Sequence, residues 1–147
     1  MHTLSDSPTP QEWHAFLLDV LADFQCSAGT LHRLDPADNL LKLVTSERIP
    51  DVLIPVIGTI PIGKGVAGAA AQRREPVEIC NLQTDTSGVA KPDAKKTQLQ
   101  GSLAVPVLDA SGGLHGTLGI GKMEAYDFTD EEKSRLMDIG RQIAGKL

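Results

Sequence analysis

Aromatic side chains are scarce: one Trp, one Tyr and three Phe among 147 residues. Trp13, Phe16, Phe24, Tyr126 and Phe128 are too few and too scattered to make a base-stacking platform. Positive charge is also short, with 14 Lys and Arg against 19 Asp and Glu and a net charge of -5. A partner with a phosphate backbone requires clustered Lys and Arg, so no nucleic-acid partner is expected. Cysteine is limited to Cys26 and Cys80. That excludes a disulfide framework and suits a reducing compartment. No run approaches the roughly 18 apolar residues needed to cross a membrane, and the polar stretch from Met1 to Pro10 does not read as a secretory signal. Together these absences lead to the expectation of a cytoplasmic protein with no membrane partner.

What is present suits one ordinary globular domain: 41% hydrophobic and 22% charged residues in a chain of this length. Thr9-Pro10-Gln11-Glu12 reads as a capping box with proline at the first helical position. Trp13, Phe16, Leu17, Val20, Leu21 and Phe24 then form one stripe, which predicts a helix from Pro10 to Phe24. Residues 1–9 are expected to be a flexible N-terminus, and residues 10–147 a single domain. Ala28 to Leu34 and Leu40 to Ser46 flank Asp35-Pro36-Ala37-Asp38-Asn39, a hairpin pattern. Pro50, Pro55 and Pro61 exclude a central strand between Ile49 and Pro61. A helical turn at Asp51 to Leu53, then an extended piece to Ile62, is expected there. The small residues Ala67 to Ala71 suit a short helix, and Pro76 to Cys80 a brief strand. Asn81 to Gln100 reads as a long polar loop of the lid or binding kind. Gly101 to Leu108 and Leu114 to Met123 read as strands. Thr129 and Glu132 make a second capping box, and Leu136, Ile139, Ile143 and Leu147 supply the last helix's stripe.

Two long amphipathic helices at the ends of the chain must bury their stripes on one face of a sheet. The expected fold is α+β: an antiparallel sheet of five or six strands, terminal helices on one face, and the crossover and long loop on the other. Alternation sorts the two late strands. Leu103, Val105, Val107, Leu118 and Ile120 are bulky and suit the helix side. Ser102, Ala104, Thr117, Gly119 and Gly121 are small and face the other way. Interiors do not leave volume unfilled casually, so a small-molecule pocket is expected over them. The alternative is that Val66, Ala70 and the loop fill the space.

Four segments carry a resemblance to the GAF domain family: Gly29-Thr30-Leu31, Ile62-Gly63-Lys64-Gly65-Val66-Ala67-Gly68, Ser102-Leu103-Ala104-Val105-Pro106-Val107, and Gly116-Thr117-Leu118-Gly119-Ile120 followed by Phe128-Thr129. Their order and spacing cover Pro10 to Leu147. The resemblance implies a pocket on the face away from the helices. Leu31, Val66, Ser102, Ala104, Thr117, Gly119 and Gly121 are the expected ligand-binding residues, and an unidentified small molecule the expected partner. No catalytic residue, metal or cofactor is expected.

Sharper chemistries fit less well. Gly63, Gly65 and Gly68 match G-x-G-x-x-G, but Pro61 precedes them and no parallel strand follows, so they read as turn and packing glycines. In size and layout the chain is similar to free methionine sulfoxide reductases. That resemblance implies a cysteine where this chain has Ala67, a second in the loop from Asn81 to Gln100, which has none, and acids where Ser102, Gly119 and Gly121 stand. Such chemistry needs a nucleophilic thiolate and a resolving thiol, so no reductase activity is expected. A bilin-binding member would need a suitably placed cysteine and aromatic packing. The cyclic-nucleotide pattern is matched only by Gly121-Lys122 and Phe128, with Glu132-Lys133 where Asp-Glu belongs. His2, His14, His32 and His115 show no metal-ligand spacing, and His32 reads as a solvated or hydrogen-bonded strand residue. Arg73-Arg74 and Lys95-Lys96 read as solvated surface, with Lys91, Lys95 and Lys96 as the loop cations an anionic ligand would meet. Leu18 and Met137 lie off the helical stripes and suggest a homodimer paired through the terminal helices. The expected function is a non-catalytic small-molecule sensor that signals through oligomerisation or a separate partner protein. A dimerisation or interaction module with an empty pocket is the alternative from another class, and a free methionine sulfoxide reductase-like redox enzyme the third.

Overall fold

Both terminal helices start at a local capping box. In the computed structural model, which describes residues 4–84 and 99–147, the Thr9 hydroxyl accepts from the Glu12 amide while Glu12 reaches back to the Thr9 amide. Helix α1 (Pro10–Asp23) starts there. Thr129 and Glu132 repeat the arrangement at α4 (Asp130–Ile143). Between them lie β1 (Ala28–Asp35), β2 (Leu40–Glu47), a 3-10 turn (Asp51–Leu53), α2 (Ile54–Ile57), β3 (Thr59–Pro61), α3 (Gly65–Arg73), β4 (Val77–Ile79), β5 (Ser102–Leu108) and β6 (Leu114–Gly121). The strands form one six-stranded sheet in the order β3-β2-β1-β6-β5-β4, every pairing antiparallel.

The stripes of α1 and α4 meet on one face of that sheet. Trp13, Phe16, Leu17, Val20, Leu21 and Phe24 pack with Leu136, Ile139 and Ile143 over Leu31, Leu103, Val105, Val107, Leu118 and Ile120. Leu17, Leu31, Leu103, Val105, Val107, Leu118 and Leu136 are fully buried. The other face is covered by α2, α3 and their connections.

Three expectations need correction. Residues 4–9 are tied to the fold rather than free: Leu4 is buried in the main core, and its carbonyl accepts from Lys146 Nζ at 2.8 Å. An N-terminal Leu preceding a capping box was the overlooked signal. The segment after Leu53 is a helical turn, not extended chain, because Pro55 falls at the start of a helix, where a missing N–H costs no bond. Only Thr59–Pro61 is extended, as an edge strand on β2, where proline is tolerated. Met137 is half-buried against the main core, whereas Leu18 is exposed as expected. The middle of the long polar loop, with Lys91, Lys95 and Lys96, lies outside the described residues.

Candidate ligand pocket

Register across β4, β5, β6 and β1 builds the floor of a cavity in rows. Ile79, Ser102, Gly121 and Ala28 stand side by side, followed by Val77, Ala104, Gly119 and Thr30. The row beyond holds Pro106, Thr117 and His32. Small side chains in the first two rows leave a space of about 180 Å³. Its walls are apolar: Ile49, Leu53, Val56, Ile57 and Ile60 from the crossover, Val66 and Ala67 from α3, and Leu82 and Leu99 flanking the polar loop. Thr30, His32, Lys64 and Ser102 supply its polar side chains.

Glycine geometry seats α3 at the cavity edge. Gly63 and Gly65 have φ of 91° and 67°, a region that L side chains rarely adopt. A Cβ at Gly68 would stand 2.6 Å from the Pro61 carbonyl oxygen. The G-x-G-x-x-G match is thus explained by turn and packing.

Of the expected site residues, Val66, Ser102, Ala104, Gly119 and Gly121 line the cavity. Leu31 does not. It pairs across the ladder with Leu118 and is fully buried on the helix face; the alternation that sorted β5 and β6 puts Thr30 and His32, not Leu31, on the cavity face. Thr117 is on the correct face but is not part of the lining: it lies in the third row, where α3 packs against β5 and β6. It is buried, and its Oγ1 has no hydrogen-bond partner.

His32 was underrated by sequence reasoning. It is 1% exposed and lines the cavity. Nε2 donates to the Ile57 carbonyl at 2.8 Å, while Nδ1 has no partner. Burial holds its pKa below the usual imidazole value, opposed by the bond to Ile57. The ring is therefore neutral, with Nε2 protonated and a lone pair on Nδ1. Its place on the cavity face of β1 was readable from alternation with Leu31. Its approach to Ile57, 25 residues along the chain, was not. The crossover residues Ile49, Leu53 and Val56 were also missed. Apolar side chains in a proline-rich segment that join no helical stripe were the available signal.

The thiols stand apart from this site. Burial pushes Cys26 up to about 11. Cys80 is exposed, and hydrogen bonding to Asp127 raises its pKa as well. Neither lines the cavity. A reactive cysteine needs a lowered pKa. Lys122 is engaged elsewhere, donating to the carbonyls of Phe24 and Gln25 at 3.1 Å at the end of α1 and lying 4.4 Å from the Tyr126 ring centroid. Among the described residues no group of three His, Cys, Asp or Glu is placed to hold a metal ion, and no helix is long and apolar enough to cross a membrane.

A family model for the GAF domain matches residues 8–145. The chain belongs to the GAF domain family. The GAF domain of a phosphoenolpyruvate-protein phosphotransferase from Coxiella burnetii superposes with a TM-score of 0.78 at 18% identity, over 95% of this chain and 83% of that one. The type II free methionine-R-sulfoxide reductase of Thermoplasma acidophilum gives 0.71 at 18%, over 92% and 89%. The free methionine-R-sulfoxide reductase of Neisseria meningitidis, solved with its substrate, gives 0.69 at 16%, over 99% and 95%. At these identities the likeness is one of fold. No curated protein matches the chain.

Proposed function

We propose that this GAF domain is a small-molecule sensor without catalytic activity of its own. One observation carries the reading: the sheet face away from the terminal helices holds a cavity of about 180 Å³, floored by Ser102, Ala104, Gly119 and Gly121 and walled by apolar side chains. A concave, mostly apolar space with few polar groups is the usual form of a small-ligand site. The absence of catalysis rests on the two thiols, both held protonated and both away from the cavity. Some relatives in fold are reductases. In this chain Ala67 stands where that resemblance implies a cysteine, and a coupled reductase assay is expected to give no turnover above buffer. Turnover that vanishes in Cys80→Ser would refute this part of the reading.

Native mass spectrometry of freshly purified protein tests the cavity. A bound small mass in the wild type, absent in Gly119→Leu, is the expected result. A Cβ at Gly119 would stand 3.1 Å from Thr30 Oγ1, so a leucine there must extend into the space. Only the bare chain mass in both proteins, after incubation with a broad metabolite extract, would contradict it.

Output through a homodimer is the second part of the proposal. It rests on Leu18, 41% exposed on α1, since Met137 packs inward. Light scattering at tens of micromolar is expected to give a dimer mass that Leu18→Glu lowers; a monomer mass in both proteins removes the dimer.

A further inference from the structure

The crossover covers the cavity but is tied to the sheet by little. Of residues 48–59 only Leu53 is buried. Helix α2 is four residues long, wholly apolar, and buries none of them. Val52, just before it, is 73% exposed. Pro50 and Pro55 have no amide with which to bond to a strand. Among the described residues one hydrogen bond joins residues 49–57 to the sheet, from His32 Nε2 to the Ile57 carbonyl at 2.8 Å. Ile57 ends α2, so its carbonyl is one that helix geometry leaves without a partner. The next tie is at Gly58, whose carbonyl accepts from the Leu43 amide at 2.9 Å.

His32 lies between this cover and the two central strands, β1 and β6. Its Nδ1 has no partner among the described residues and essentially no accessible surface. A proton there creates a buried cation with a donor that nothing accepts, at a high cost unless water reaches it. Water can enter only if one side moves. The sheet side is held by ladders along both edges of β1 and β6, so the crossover is the side that yields. No charged neighbour shifts this balance: burial lowers the His32 pKa, opposed by the Ile57 bond. The facing residues are Leu43 on β2, Thr117 on β6 and Ile57 on α2, none of them titratable. Arg33, next on β1, lies on the opposite face. Asp51 is exposed at the start of the 3-10 turn. Lys64, exposed at the start of α3, is the one charged side chain among the described lining residues.

We propose that His32 is a pH-sensitive latch on the cover of the cavity. Neutral, it holds the crossover against β1 through the Ile57 carbonyl. Protonated, it is hydrated by the lifting of residues 49–57, which opens the cavity on that side. The latch acts on access to the cavity whatever molecule enters, so its failure leaves the sensor reading standing.

Amide hydrogen exchange of the full chain, read by NMR and corrected for the intrinsic pH dependence of exchange, tests it. The Leu53 amide donates to Pro50 and the Ile54 amide to Asp51. Both bonds belong to a short turn that has little to hold it once Leu53 leaves the core, so they report on the crossover. Leu103 and Leu118 report on the helix face. One proton taken up on opening, with an ordinary imidazole pKa near 6.5 in the open form, raises the open population about tenfold between pH 7.5 and 5.5. Protection at Leu53 and Ile54 should fall by that factor, from a level below that of Leu103 and Leu118. It should not change with pH in His32→Gln, which keeps a donor for Ile57. Should that variant not fold, combining His2→Gln, His14→Gln and His115→Gln leaves His32 as the sole histidine, and the fall must survive there. The latch is overturned if protection of the crossover is flat over this range, or if Leu53 and Ile54 exchange at the rate of Leu103 and Leu118 throughout. It is equally overturned if the fall persists in His32→Gln or vanishes in the triple variant. A ring that takes its proton with the cover closed, donating from Nδ1 to Thr117 Oγ1, gives the flat result.

Discussion

The two faces of the sheet are built from the same strands and filled in opposite ways. On the helix face Leu31, Leu103, Val105, Val107, Leu118 and Ile120 meet the stripes of α1 and α4, and most are fully buried. On the crossover face the alternate residues of the same strands are Ala28, Thr30, Ser102, Ala104, Gly119 and Gly121, and a cavity remains above them. Strand alternation alone separates the two. The helix face supplies the packing that holds the domain together. The crossover face gives up contact area to keep a space open, and its cover is a segment interrupted by Pro50, Pro55 and Pro61.

If the division is right, the largest effect comes from the filled face. Leu118→Ala should lower unfolding stability by about 2–5 kcal/mol, the range for a truncated core leucine. Chemical denaturation measures it, and a loss no larger than that of Ser102→Ala on the cavity face would erase the distinction. The reverse substitution sharpens it. Gly119→Leu places a large side chain where space exists, so the loss should not exceed the roughly 1–3 kcal/mol of overpacking, while uptake of a small molecule is abolished.

A pH scan probes the buried ring on the cavity side. Burial lowers the folded pKa of His32, so the unfolded chain takes up this proton first, near pH 6.5. The contribution of His32 is complete above that pH. It is lost as pH falls below about 6.5 toward the folded pKa, by at most about 1.4 kcal/mol per unit. Denaturation midpoints at pH 7.5 and 5.5 should show a steeper decline in the wild type than in His32→Phe, or in His32→Gln if the former does not fold. The smallest effect belongs to the helix ends. Thr9→Ala and Thr129→Ala should each lower stability by about 1 kcal/mol, read as a shift in midpoint, with no change in ligand uptake.

Legibility in the sequence followed the range of the interactions. The two capping boxes involve residues three apart, and both helices start where Thr9 and Thr129 place them. The face assignment of β5 and β6 needed only period-two alternation, and five of the seven expected site residues line the cavity. Leu31 was misplaced because it was taken from a motif rather than from its own alternation with Thr30 and His32. Thr117 was misplaced because alternation gives the face but not how far along the strand the cover closes. The pocket wall from Ile49 to Ile60 was hidden by its prolines, which break periodicity without revealing that Pro55 opens a helical turn. The part of His32 that matters, its bond to Ile57 and its orphaned Nδ1, arises only when the crossover folds back over β1.

The central claim is that the crossover face keeps a space open for a small molecule. A crystal structure of freshly purified protein, followed by one pressurised with xenon, tests it most directly. The account predicts density that no side chain explains, or a xenon site, between Ala104, Gly119 and Val66. Those residues packed solidly against Leu82, Leu99 and the crossover side chains, with no density and no xenon, would contradict it.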